Sequence, residues 1–220
     1  MIKQNGRQIP ETFEEIVAPN RTVLLICDMQ KWFCNPLSGE TFTFGPKPAN
    51  QEEGIENNVR LLSAARNANV TVMFTQYTTL PDGQSESDYA IYRRKKYSDS
   101  TAGADNTIEG LEGWQVIDEL KPANKELIIR KNRRNAFLGS NLHNILRING
   151  IRTIVLMGRT LEWGIWANAW MAEGLDYFNV LPKDAVMGRN PQDMQESLHW
   201  FEREAIVTDS KQIMAAWGQR

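Results

Sequence analysis

The sequence predicts an α/β protein, a Rossmann-like three-layer α/β/α sandwich around a mostly parallel sheet of about six strands. Three observations carry this. Short apolar runs of strand length alternate with longer amphipathic stretches, the pattern of parallel strands joined by crossover helices. The run TVLLIC at Thr22–Cys27 is apolar at nearly every position, as a strand covered on both faces must be. The first, third and fourth apolar runs each stop at a charged residue or a glycine, at the end of the strand where open parallel sheets bind ligands.

The elements follow in order. After an N-terminal arm over residues 1–20, Thr22–Cys27 is the first strand. Residues 54–67 form a helix with Ile55, Val59, Leu62 and Ala65 on one face. Residues 70–75 are the second strand, 113–120 a short helix and 126–130 the third strand. Residues 141–149 are helical, with Leu142, Ile145 and Leu146 inward and Gly150 as the stop. A fourth strand at 153–157 leads to a helix over about 162–173. A fifth strand at 177–181, a helix at 192–203, a short strand at 205–207 and a helix at 211–217 complete the chain. Residues 78–111 break the rhythm; they are polar, rich in Ser, Asp and Gly, and predict a loop bordering a site.

Composition narrows the function. The 220 residues suit one domain spanning 1–220, with 41% apolar and 24% charged residues. A formal net charge of -2 offers no general attraction to a nucleic-acid backbone. No apolar run approaches the ~20 residues that span a bilayer, and the N-terminus lacks the apolar core of a signal peptide. The expected partner is therefore a small-molecule substrate, with no nucleic acid and no membrane, in the cytoplasm. Two cysteines, Cys27 and Cys34, make no disulfide framework. Two histidines, His143 and His199, build no metal centre, and neither sits beside a nucleophile-like turn. No metal and no cofactor is expected.

The strands end in Asp28, Gln76, Lys131 and Gly158. An aspartate at a strand end commonly just caps a turn. A lysine within RKNRR, taken alone, is a solvated base. Together, opposite charges at adjacent strand ends form a partly buried ion pair, which tunes and orients a carboxylate for proton transfer.

These residues lie in motifs that resemble the isochorismatase-like superfamily of cysteine hydrolases, over about residues 21–209. DMQKWF at 28–33 is similar to the family's D-x-Q-x-x-F, and KNRRNAFLGSNL at 131–142 to its lysine motif. GIRTIVLMGRTLEWGIWANAWMA at 150–172 resembles the segment where a strand ends in glycine and a turn opens a helix. PKDAV at 182–186 resembles the family's D-A turn. The resemblance implies the fold, Asp28 as acid/base, Lys131 as its catalytic partner and a cis peptide at Arg159–Thr160.

One departure bears on mechanism. In the amidohydrolase branch a cysteine opens the helix after the fourth strand, where the helix dipole and backbone N–H groups favour a thiolate and an oxyanion. Here the stretch reads Gly158-Arg159-Thr160-Leu161-Glu162-Trp163-Gly164, so Gly164 holds the position of the family nucleophile. Cys27 should point away from Asp28, and Cys34 is read as structural. Isochorismatases and related phenazine-pathway enzymes also carry glycine there and cleave a vinyl ether without a nucleophile. By that resemblance Asp28 is the acid, Lys131 its partner and Gln76 a substrate contact, while Gly164 makes room. A nearby ammonium by itself lowers the pKa of Asp28, so burial has to offset it.

The turn departs from the isochorismatase pattern G-V-Y-A-H, with Thr160 at the tyrosine position and Leu161-Glu162 at the Ala-His pair. The approach PETFEEIVAPNRT is closer to ureidoacrylate and biuret amidohydrolases. One alternative is thus a C–N hydrolase whose cysteine at position 164 has been lost or engineered to glycine. Another is an inactive member that binds a metabolite or partner, against which the joint retention of Asp28, Gln76 and Lys131 argues.

Other residues have two readings each. Trp32 and Phe33 wall an aromatic pocket or join the core. Trp163, Trp166 and Trp170 share a helix face that packs in the core or a subunit interface, with Trp163 the exception beside substrate. Exposed tryptophans on a domain this small point to a homodimer or homotetramer. The run Arg93 to Lys96 is solvated or steers a carboxylated substrate, with Arg133 and Arg134 as rivals. Glu162 favours a helix start or acts as a second acid/base.

Overall fold

A computed structural model of the chain describes residues 1–34, 50–97 and 107–218. The N-terminal arm opens on an antiparallel hairpin, β1 (Ile2–Gln4) and β2 (Arg7–Ile9). Its turn is Asn5-Gly6 with both residues at positive φ, which a two-residue hairpin loop requires. A short helix follows, α1 (Phe13–Ile16), capped by the hydroxyl of Thr12.

The main sheet holds seven strands: β3 (Thr22–Cys27), β4 (Thr71–Tyr77), β5 (Leu127–Lys131), β6 (Thr153–Arg159), β7 (Phe178–Pro182), β8 (Val186–Met187) and β9 (Ile206–Thr208). The order is β5-β4-β3-β6-β7-β9, with the two-residue β8 pairing the far end of β6, and every ladder is parallel. The chain runs outward from β3 to β5, then returns to the other side of β3 and runs outward again. That reversal opens a crevice at the carboxyl ends of β3 and β6.

All six residues of β3 are buried, and they feed two cores by strict alternation. Leu24 and Ile26 face a cluster under α3 (Gln51–Asn67) and α8 (Ser210–Ala216). Val23, Leu25 and Cys27 face a second cluster under α5 (Leu142–Ile148), α6 (Trp166–Gly174) and α7 (Pro191–Glu204). Each such aliphatic side chain contributes roughly 1.5–3 kcal/mol by leaving water. Among the described residues no helix is long and apolar enough to cross a membrane.

The structure departs from the sequence expectations at four places. Of the expected face of α3, Leu62 and Ala65 are buried and Ile55 packs against the core, but Val59 is exposed, and the buried face widens to take in Gly54, Asn57, Asn58 and Leu61. Polar groups turn the helix: Asn58 donates to Ala185 O at 2.7 Å, Asn57 donates to Asp184 O at 3.0 Å, and Gly54 abuts Met187. Residues 113–120 are not one helix but two 3-10 turns, because their backbone braces the loop after β3, with Lys31 N donating to Gln115 O and Ile117 N to Met29 O. The polar insert contains a helix, α4 (Asp88–Tyr97), and residues 98–106 of it lie outside the described residues. Finally, Leu161–Ile165 is a π-helical turn, whose wider winding separates Trp163 from Trp166 and Trp170.

Gly158, at φ 102°, is the tightest backbone point at the crevice. A Cβ there would lie 2.4 Å from Cys27 O. Gly158→Ala is expected to lower the urea midpoint by the equivalent of ~2 kcal/mol or more. Gly174→Ala, at a helical glycine with nothing within 4 Å of its added methyl, is expected to be neutral or to stabilise by up to ~1 kcal/mol.

Candidate active site

Asp28 leaves β3 at φ 50°, a left-handed conformation that aspartate tolerates better than most residues. Its N–H still donates to Thr75 O at 3.1 Å, so the side chain emerges at the top of the sheet. The loop is then locked by Gln30, fully buried, which treats the end of β4 as a strand partner. Its amide donates to Tyr77 O at 2.9 Å and to Trp114 O at 3.0 Å, and accepts from Tyr77 N at 2.7 Å.

Lys131 ends β5, and β4 lies between it and β3, so the two charges are not on adjacent strands as the sequence suggested. Two strand spacings of ~4.8 Å separate them. The long lysine stem crosses the end of β4, and Nζ reaches 2.6 Å from Asp28 Oδ2. The ammonium also donates to Arg134 O at 2.9 Å and lies 5.6 Å from the Tyr77 ring centroid. Thr75, on the strand between, donates its hydroxyl to Asp28 Oδ1 at 2.9 Å. The lysine side chain is 0% exposed and the aspartate 11%. Burial pushes the Asp28 carboxyl above the usual carboxylate range, opposed by the Lys131 ammonium and the Thr75 hydroxyl. The offset that the ammonium demanded is thus present.

The third side of the site is the turn after β6. Gly158 N donates to Ala185 O at 3.0 Å, tying the turn to the Pro182–Val186 motif, and the Arg159–Thr160 peptide is cis as expected. Thr160 is buried, and its carbonyl accepts from Trp163 N and Ile165 N. Gly164 then faces the ion pair directly. An ideal Cβ on it would lie 3.0 Å from Asp28 Oδ2, 3.7 Å from Lys131 Nζ and 3.8 Å from Arg134 O. A side chain at 164 would therefore press on the Asp28 carboxyl and touch the Lys131 ammonium, and glycine avoids both contacts. The segment after Lys131 is pinned to α6, with Asn135 donating to Ala167 O and Asn168 accepting from Ala136 N.

The other candidates divide. Arg134 and Trp163 are in contact, with the guanidinium carbon 4.1 Å from the indole centroid. Of the run from Arg93 to Lys96, Arg93 approaches the same indole at 5.7 Å, whereas Lys96 stacks on Tyr92. Gln76 points away from Thr75 in the strand pleat; its amide donates to Trp114 O at 2.6 Å, and Oε1 is buried without a partner. It is not in hydrogen-bond contact with the Asp28–Lys131 pair. Trp32 and Phe33, in α2 (Lys31–Cys34), are buried in the cluster that also holds Met29 and Cys34. Glu162 accepts from Arg189 N at 2.8 Å, and its pKa is raised by burial. Arg133 donates to Ser85 O and Asn132 O, away from the pair. Trp166 meets Phe201 and Trp170 edge-on instead of sharing a face with Trp163.

Sequence reasoning missed Thr75, Tyr77 and Arg189. Thr75 and Tyr77 alternate with Gln76, so the pleat itself was the available signal. Arg189 had none. Among the described residues no group of three or more His, Cys, Asp and Glu side chains is placed to hold a metal ion.

The chain is similar to known proteins over most of its length. The family model for the isochorismatase domain matches residues 22–212. The ureidoacrylate amidohydrolase RutB of Acinetobacter baylyi is 25% identical over 198 residues, covering 86% of this chain and 78% of that protein. An uncharacterised isochorismatase family protein, YrdC of Bacillus subtilis, is 25% identical over 179 residues, covering 81% of this chain and 80% of that one. The crystal structure of a cysteine hydrolase from Pseudomonas syringae pv. phaseolicola superposes with a TM-score of 0.78 at 20% identity, covering 92% of this chain and 95% of that one.

The native thiols are sealed from solvent, although Cys27 directly precedes Asp28. Cys27 and Cys34 are buried, and burial pushes both up to about 12. Alkylation by iodoacetamide near neutral pH, read by intact mass, is expected to leave the folded chain unmodified. Gly164→Cys is expected to gain a single rapid modification, because its thiol would sit against the Lys131 ammonium. A variant that folds and stays unmodified would show that position 164 does not open on the ion pair.

Proposed function

The chain belongs to the isochorismatase family, and on that footing we propose that it hydrolyses a small molecule by direct addition of water, with Asp28 carrying the proton and no covalent enzyme intermediate. The observation that supports this reading is Gly164. At the position of the family nucleophile the chain carries no side chain, and a carboxyl group with a raised pKa and an ammonium lie against it. Such a pair moves protons; it does not form a thioester.

The reaction that fits is acid-catalysed cleavage of a vinyl ether. Asp28 protonates the terminal carbon of the enol ether, leaving an oxocarbenium ion centred on the adjacent oxygen-bearing carbon. Water adds to that oxygen-bearing carbon and returns a proton to the Asp28 carboxylate. The hemiketal then collapses, breaking its bond to the leaving oxygen and releasing a ketone and an alcohol. Lys131 holds the carboxylate in place through both protonation states, and the Arg134 carbonyl keeps the ammonium from swinging away. Arg134, whose carbonyl holds the Lys131 ammonium, is the charged residue beside the pair that orients substrate.

A second reading has one observation in its favour, the similarity to ureidoacrylate amidohydrolases. There Asp28, ionised, takes a proton from the water that attacks an amide or ureide carbonyl, and the departing nitrogen leaves protonated. The two readings need opposite protonation states of one group.

The test is hydrolysis of isochorismate, followed as pyruvate release, beside a panel of amides and ureides including ureidoacrylate. Asp28→Asn is expected to reduce kcat/KM by 10²–10⁴-fold or about that order. Because it strands the Lys131 ammonium, its thermal melt is recorded alongside. The pH profile of the unaltered chain supplies a second measurement. An acid role gives kcat/KM that is level below the raised pKa of Asp28 and falls as pH rises through it. Loss as pH falls through the same value would overturn the acid role and support the base. Activity unchanged in a folded Asp28→Asn variant would overturn both.

A further inference from the structure

Three arginines from separate segments meet on the indole of Trp163, the residue immediately before Gly164. Their guanidinium carbons lie 4.1 Å (Arg134), 4.7 Å (Arg189) and 5.7 Å (Arg93) from the ring centroid. Arg93 comes from α4, Arg134 from the loop after β5, and Arg189 from the segment between β8 and α7. Among the described residues none of the three forms an ion pair with a carboxylate. The Nε of Arg189 is buried with no partner. Glu162, close enough for its field to be felt, spends Oε1 on the Arg189 backbone N–H and not on the guanidinium.

Like charges gathered without counter-ions cost free energy. Arg134 records that cost: its pKa is lowered to about 10, first by burial and then by the neighbouring Arg93. Stacking on an indole offsets part of it, but stacking uses only the flat face of a guanidinium. The in-plane N–H groups remain in the fork geometry that a carboxylate accepts. Trp163, Arg134, Arg189 and Arg93 are all half-buried, so a ligand can reach them. The cluster is also coupled to the reacting centre, since the Arg134 carbonyl accepts from Lys131 Nζ.

We propose that the arginines around Trp163 bind a doubly charged oxyanion tail of the substrate, a dicarboxylate by preference, within one residue of the position where the bond is cleaved. A single negative charge leaves most of the cluster unneutralised, whereas a dianion matches it. The inference rests on the reading of Asp28 and Lys131 as the reacting centre, and it limits the substrate to a short molecule with its scissile bond close to its charge.

Binding is measured independently of turnover. The unaltered chain is titrated by calorimetry at low ionic strength with succinate, with the monoanion succinamate, with neutral succinamide and with inorganic phosphate. The expected order is succinate, then succinamate, then succinamide, with succinate binding weakening steeply as salt is added. Arg134→Gln, Arg189→Gln and Arg93→Gln are each expected to weaken succinate about tenfold or more. Arg93→Gln, at the longest of the three distances from the indole, is the variant least able to disturb folding. Phosphate binding tighter than succinate would assign the cluster to a phosphate ester and overturn the dicarboxylate preference. Equal binding of succinate and succinamide, or no effect of any folded arginine variant, would overturn the site altogether. A chain that binds dianions through these arginines yet hydrolyses nothing would keep this inference and overturn the proposed reaction.

Discussion

The carboxyl end of the sheet is organised around an ion pair made across an intervening strand. Two buried charges attract strongly, but each loses its hydration, and the attraction repays that loss only when the remaining lone pairs and protons are also satisfied. The chain meets this condition with few groups. Thr75 on the strand between supplies the second hydrogen bond to the Asp28 carboxyl, and the Arg134 carbonyl supplies a further acceptor for the Lys131 ammonium. The reach demands lysine: β5 is two strands from β3, and a shorter cation would stop over β4. The surrounding bracing follows from the same need. Gln30 fixes the loop after β3 to the end of β4, Asn135 and Asn168 fix the loop after β5 to α6, and Ala185 holds the turn after β6.

Much of this was legible in the chain, and the limits have physical causes. Thr22–Cys27 announced itself as a doubly covered strand, and the residues that stop the strands were the right place to look, since Asp28 and Lys131 do meet. What could not be read was strand order, so two charges taken as neighbours prove to be separated by β4. Thr75 passed as an ordinary β-branched residue in an apolar run. On α3, Ile55, Leu62 and Ala65 do face the core, and only Val59 was misplaced, because the buried face turns to take in two asparagines. An amide satisfied by backbone carbonyls behaves in the core as an apolar group does, and helical periodicity cannot see that. The tryptophan spacing failed for a different reason, since a π turn changes the number of residues per turn within the stripe itself.

Charge shows a similar gap between composition and placement. The chain is slightly acidic overall, yet its crevice gathers on one aromatic plate three guanidiniums with no ion pair to a carboxylate among the described residues. Arg189 lies 55 residues beyond Arg134 in the numbering, and no local pattern marks it. Among the described residues, the polar insert contributes Arg93, which α4 turns toward Trp163. Seen this way, the insert is less a cover than a third wall, and the fold brings together by topology what sequence proximity kept apart.

The two sulfhydryls, sealed in the core and held protonated, have a bearing on the conditions this protein tolerates. Oxidants act on thiolates they can reach. With glycine at position 164 the turn carries no thiol, and Cys27 and Cys34 are fully covered by the packing of both layers. An oxidant or a disulfide reagent therefore meets no reachable thiolate beside Asp28 and Lys131, and the ion pair itself has no sulfur to lose.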